Sequence, residues 1–151
     1  AKTDPAHVAL ARLFKTRQFT KQYQALVHGA LSPESAIIDA PIGRDPTNRK
    51  RMAVVDLARN ARTTYTTLTS YSNHTLARVA PETGRTHQIR VHFASIGHSL
   101  VGDVLYGRAD PDLARHFLHA DRIGFRHPIS EKPMDFTSRL PEELQAYLDS
   151  L

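Results

Sequence analysis

The chain has 151 residues, 40% apolar, 7% aromatic and 23% charged, a balance that favours one domain or a large piece of one and excludes a disordered tail. No apolar run approaches the ~20 residues of a bilayer span, and the opening AKTDPAHVALARLFKTR lacks the apolar core of a signal peptide, so a soluble, non-secreted chain is expected. The absence of cysteine excludes disulfide scaffolds, thiolate metal sites and cysteine nucleophiles, while 20 Lys and Arg against 15 Asp and Glu give a net charge of +5 that favours a polyanionic partner.

Pro5 to Arg17 reads as a helix, with Asp4 as N-cap, Pro5 at the first helical position, and Ala6, Leu10, Leu13 and Phe14 on one face. In Lys21 to His28, Tyr23, Ala25 and Val27 alternate with Gln22, Gln24, Leu26 and His28, which predicts a strand ended by Gly29. Ala36 to Ile42 is a short apolar strand candidate. From Gly43 to Arg62 there are six bases (Arg44, Arg49, Lys50, Arg51, Arg59, Arg62) and two acids, with Asp45, Pro46 and Asn48 as turn formers. This basic window fits a phosphate-binding segment or an ordinary solvated loop. Ala61 to Tyr71 and His74 to Ala80 predict a hairpin turning at Ser72 and Asn73.

Thr86 to Ile96 fits both periods, but Ile89, Phe93 and Ile96 keep helical spacing and Gly97 sits where a helix-terminating glycine belongs, so a helix is expected. Leu118 to Ala120, Arg122 to Phe125 and Met134 to Thr137 read as short strands. Pro141 then opens a last helix with Leu144, Tyr147, Leu148 and Leu151 at core spacing. From Glu131 onward five acids face two bases, so the charge is polarised along the chain. The order predicts an α+β fold, a mixed and mainly antiparallel sheet with peripheral helices, in one domain portion over residues 1–151.

The chemistry concentrates in TGRTHQIRVH, Thr83 to His92, where two Arg and two His fall within eight residues. A glycine before Arg85 and Thr86 at a helix start offers N–H groups and a cation to an anion, and Arg90 one turn on can fork onto a carboxylate. The same residues also fit a turn glycine, hydrogen-bonded histidines and solvated arginines. His87 and His92, or His116 and His119, come without HExxH or an acidic cluster, so no metal site is expected. There is no GxSxG, and Gly97, Gly102 and Gly107 are too widely spaced for a phosphate loop.

The string TGRTHQIRVH, then Gly97-His98, Gly102-Asp103, Tyr106-Gly107 and Leu118-His119-Ala120, resembles the Rlu-type pseudouridine synthases, which modify ribosomal RNA. Lys21, Tyr23, Ala25, Val27 and Gly29 match that family's KxYxAxVxG strand. Pro41-Ile42 with Arg51-Met52, the alternation of Ala61, Thr63 and Tyr65, and Phe125-Arg126-His127-Pro128 follow in the same order. The similarity covers nearly the whole chain. Ser99 departs from it, standing where the family usually has proline.

The resemblance implies the C-terminal portion of a pseudouridine synthase catalytic domain, acting on uridine in large-subunit ribosomal RNA, in the cytoplasm, without cofactor or metal. It makes Tyr23 the active-site tyrosine, for stacking and proton transfer, and Arg90 the arginine that pairs with the nucleophilic aspartate, with Arg85 as the alternative. Lys21, Arg85 and His87, with Arg44, Arg49, Lys50 and Arg51 of the basic window, become the expected RNA contacts. Leu118, Ile123 and Phe125 are assigned to the core. The family carries its aspartate in a HRLDxxTSG segment that these residues do not contain. The chain by itself is therefore expected to be inactive and to partner the rest of its own domain. The competing reading is a non-catalytic RNA-binding module on the same scaffold.

Overall fold

The computed structural model describes all 151 residues. The chain opens with α1 (Asp4–Lys15), whose N-cap is Thr3 and not Asp4: the extended Thr3 accepts the Ala6 N–H on its hydroxyl at 3.4 Å. Asp4 moves into the first turn, where its charge suits the positive end of the helix dipole. None of the α1 side chains is fully buried, and its expected apolar face is half-covered at Ala6, Leu10 and Leu13 and exposed at Phe14.

β1 (Thr20–His28) is an inner strand of the main sheet, and Ala25, Leu26 and Val27 are buried in succession because both faces are covered. The expected strand Ala36 to Ile42 is instead two: β2 (Ser35–Asp39) and β3 (Ile42–Arg44). Pro41 has no N–H to give a ladder, and the chain changes sheet there. β3 pairs with β4 (Met52–Val54) in a small two-stranded sheet that carries the basic loop at its tip. β5 (Arg62–Ser70) and β6 (His74–Pro81) form the expected hairpin, closed by Tyr71 N–H donating to the His74 carbonyl at 2.8 Å.

α2 (Gln88–Ser95) starts two residues later than its pattern suggests, because His87 is left-handed at φ 55° and cannot belong to the helix. It ends as expected, with Gly97 at φ 84° just beyond the C-cap. The two short strands expected near residue 120 are one, β7 (Leu118–Arg126). Its register against β1 slips between Gln22 and Tyr23, so Tyr23 faces Ala120, Gln22 faces Arg122, and Asp121 is the extra residue of a bulge. β8 (Pro133–Thr137) forms the outer edge. Pro141 is the N-cap of α3 (Glu142–Asp149), one position earlier than expected; Leu144 and Leu148 are buried, while Leu151 is exposed.

The main sheet runs β2-β5-β6-β1-β7-β8, every neighbouring pair antiparallel. Alternation along β1 divides the core: Ala25 and Val27 pack with Ala77, Val79, Ile89 and Phe93 beneath α2, whereas Leu26 packs with Leu76, Phe117, Leu144 and Leu148 beneath α3. Phe93 is fully buried with its ring 5.5 Å from Tyr65. Phe93→Ala should therefore cost about 3 to 5 kcal/mol of stability in urea unfolding, and a change under ~1 kcal/mol would mean that α2 is loosely seated.

Candidate active site

Tyr23 lies on the α2 side of β1, and the loop between β6 and α2 passes beside it. One side chain shapes that loop. Gln88 is 4% exposed; its Oε1 accepts from the Thr83 hydroxyl at 2.6 Å and the Arg85 N–H at 3.0 Å. Its Nε2 donates to the Arg62 carbonyl and the Thr63 hydroxyl, both at 2.9 Å. All four hydrogen-bonding positions of the amide are used, so the Arg85 N–H is not free for an anion as its place in the sequence suggests.

His92 continues the same network. A carbonyl can only accept, so the bond to Ala40 O at 3.0 Å puts the proton on Nε2, and Nδ1 accepts from the Thr63 hydroxyl at 2.8 Å. Burial pushes its pKa down against the opposing effect of the Ala40 bond, which keeps the ring neutral. Gln88 and His92 are thus structural members of the motif, and Gln88 fixes the backbone at Arg85.

Arg90 forks onto a carboxylate of this same chain. Nε and Nη2 each donate to Asp103 at 2.7 Å, and Asp103 is 0% exposed. Gly102, next to Asp103, is at φ 72° and passes so close to Arg115 that a Cβ would lie 2.7 Å from its carbonyl oxygen. Burial pushes the Asp103 carboxyl up, but the Arg90 guanidinium and the N–H groups of Tyr106 and Leu105 outweigh it and hold the acid below its ordinary range. Nη1 of Arg90 is left without an intramolecular bond.

Tyr106 ties this pair to the basic loop. Its ring lies 4.9 Å from the Arg90 guanidinium and 5.1 Å from that of Arg51. Its hydroxyl accepts the Met52 N–H at 2.9 Å and is hydrogen-bonded to His87 Nδ1, also at 2.9 Å. Burial, then the Arg90 charge, lowers the pKa of His87.

Gln88, His87 and Arg90 border a cavity of about 400 Å³, within the usual range for small-molecule sites. Of the expected residues it gathers Tyr23, Arg90, Lys21, Arg85 and His87. Burial pushes the Tyr23 phenol up, so it stays protonated at neutral pH. Arg44, at the end of β3, and Arg49 and Lys50, on the loop between β3 and β4, stand apart and exposed, and Arg51 is half-buried against Tyr106. Leu118, expected in the core, packs against it and also lines the cavity. His116 lines it too and was not anticipated; burial and then Arg90 lower its pKa. Asp103 and Tyr106 sit in Gly-Asp and Tyr-Gly pairs that the sequence flags without disclosing a role. No group of three or more His, Asp or Glu side chains is arranged to hold a metal ion, and no helix is long and apolar enough to cross a membrane.

Comparison with known proteins bears on the fold and the family. The model of the RNA pseudouridylate synthase family matches residues 1–95. An uncharacterised RNA pseudouridine synthase of Chloroflexus aurantiacus is 48% identical over 153 residues, covering 100% of this chain and 48% of that protein. Ribosomal large subunit pseudouridine synthase D of Zymomonas mobilis is 44% identical, covering 96% of this chain and 49% of the relative. The chain thus spans about half the length of these curated relatives. Among solved structures, human RNA pseudouridylate synthase domain containing 1 superposes with a TM-score of 0.82 at 27% identity, over 97% of this chain and 65% of that one. The antiparallel sheet and these matches together place the chain in the RNA pseudouridylate synthase family, Rlu type.

Proposed function

We propose that this chain supplies the base-receiving part of an enzyme that isomerises uridine to pseudouridine in large-subunit ribosomal RNA, in the cytoplasm. The observation that carries the reading is that Tyr23 and Arg90 border one nucleoside-sized cavity, with Arg90 held in place from behind by buried Asp103. The reaction breaks the ribose bond to N1 of uracil and forms one to C5, and the proton lost from C5 is balanced by one gained at N1. A target base must leave its stack to reach such a cavity, where the Tyr23 ring can hold it and the phenol can pass a proton. The unbonded Nη1 of Arg90 is the donor available to the nucleophilic carboxylate of the family. Asp103 cannot be that carboxylate, because both its oxygens are occupied by Arg90 and backbone N–H groups. The family's pattern carries that aspartate in a HRLDxxTSG segment that these 151 residues do not contain, which supports the rest of the catalytic domain as the second partner beside RNA. Lys21, Arg85, His87 and the basic loop meet phosphates, which position RNA without reading its sequence.

Release of tritium from 5-tritiated uridine in transcribed large-subunit ribosomal RNA tests this. The 151-residue chain should release none, the same chain joined to a HRLDxxTSG-bearing segment should turn over, and Tyr23→Phe in the joined chain should be slower by about 10² or more. Turnover by the purified 151-residue chain would overturn the proposal. An inactive joined chain that still binds RNA would favour the non-catalytic module.

A further inference from the structure

Lys21, Thr83, Gly84 and Arg85 belong to two hollows at once: the cavity above and a neighbouring groove of about 350 Å³. The far wall of the groove is the end of α1, with Phe14, Lys15, Arg17 and Phe19. Arg17, at φ 58°, turns the chain out of the helix, and Phe19 comes back against Phe14 with ring centroids 3.9 Å apart and planes 21° apart. Phe19 is in turn supported by Phe125 at 4.9 Å. Phe14 nonetheless remains 57% exposed, so a braced aromatic ring stands open to solvent at the rim.

The charge of the groove is one-sided. Lys15, Arg17, Lys21 and Arg85 contribute four cations, and none of them is in an ion pair. The one acid on the groove, Glu82, is already held by Arg62 at 3.3 Å and by the Thr64 hydroxyl. Arg17 is close enough to Lys21 to add to the effect of burial in lowering the lysine pKa. Like charges gathered without anions repel in the free protein and attract a polyanion. An open aromatic face among such charges is the arrangement by which single-stranded nucleic acid is held without sequence preference.

We propose that this groove is a second nucleotide subsite. It takes a nucleotide next to the target uridine, the base stacking on Phe14, one phosphate meeting Lys21 and Arg85 where the two hollows join, and the next phosphate meeting Lys15 and Arg17. The proposal rests on the reading of the main cavity as a uridine site and extends it along the strand.

The test uses the 151-residue chain and fluorescence anisotropy with a labelled single-stranded RNA heptamer containing one central uridine. A second heptamer carries abasic residues on both sides of that uridine. Replacing Lys15 and Arg17 together by Gln should flatten the slope of log K against log salt by about 1.4, at ~0.7 per lost contact. Phe14→Ala should weaken binding of the intact heptamer about tenfold and leave the abasic one unchanged, and Phe14→Tyr should restore it. Tyr23→Ala should weaken both RNAs. All these substitutions except Tyr23→Ala are at exposed positions, and thermal melts by circular dichroism confirm the folded fraction.

If only Tyr23→Ala matters, the subsite is absent and the uridine cavity stands. If no variant matters, or the parent binds no RNA, both readings fall. If Phe14→Ala weakens the two heptamers equally, Phe14 only packs α1 and the subsite is wrong. Binding of polyglutamate in preference to RNA would assign the groove to an acidic polypeptide and overturn the proposal.

Discussion

Asp103→Asn should lower the free energy of unfolding by about 3 to 5 kcal/mol at neutral pH, because it leaves the Arg90 guanidinium without its counter-charge in a place where water reaches little of it. The Asp103 side chain is 0% exposed and that of Arg90 13%, so solvent screening gives little relief. The amide can keep one acceptor for the N–H groups of Leu105 and Tyr106, but it cannot receive both prongs of the guanidinium. Urea unfolding by circular dichroism measures the loss, and a change under ~1 kcal/mol would show that the pair contributes geometry without stability. The pH dependence gives the sign independently. A carboxyl held below its ordinary value of 3.8 stabilises the fold at higher pH, and the contribution is lost as pH falls through the depressed value. The gap between parent and variant should be constant at neutral pH and close as the medium is acidified below about pH 4.

The second large effect is expected on RNA affinity. Arg44, at the end of β3, and Arg49 and Lys50, on the loop that follows, are exposed, and none of them forms an ion pair. If each meets one phosphate of a single strand, changing all three to Ala flattens the salt slope by about 2 and lowers affinity near 0.1 M salt by about a hundredfold. Such a loss should be similar for every RNA sequence, since phosphates carry no sequence information. Arg51 is left in place, because it lies over Tyr106 and its removal would disturb Arg90 as well. An unchanged slope would reduce the loop to a solvated turn.

What could be read from the sequence was whatever local periodicity or punctuation decides. The alternation of Tyr23, Ala25 and Val27, the turn at Ser72 and Asn73, the stop at Gly97 and the spacing of Leu144 and Leu148 all depend on near neighbours, and all appear in the fold. The misread elements depend on partners far along the chain. Asp121 reads as a break between two strands, and only its place opposite β1 makes it a bulge in one continuous strand. The apolar run from Ala36 to Ile42 gives no warning that its two ends join different sheets.

The candidate site divides in the same way. A motif resemblance was enough to bring Tyr23, Lys21, Arg85, His87 and Arg90 into one cavity, but not to show what holds them. Asp103 lies 13 residues from Arg90 and Tyr106 lies 54 from Met52, spacings that belong to no periodic pattern. The partners of Gln88 and His92, at Arg62, Thr63 and Ala40, come from strands and turns that only the folded sheet brings beneath α2.

The fully bonded amide of Gln88 has a consequence for the energetics of recognition. A loop stitched at Thr83, Arg85, Arg62 and Thr63 by one buried side chain has lost its conformational freedom before any ligand arrives. The entropy of ordering it is charged to folding, not to association. Binding at the cavity mouth therefore begins from a rigid rim, and more of the gross attraction between cations and phosphates survives as affinity than would from a loop that had to settle around its guest.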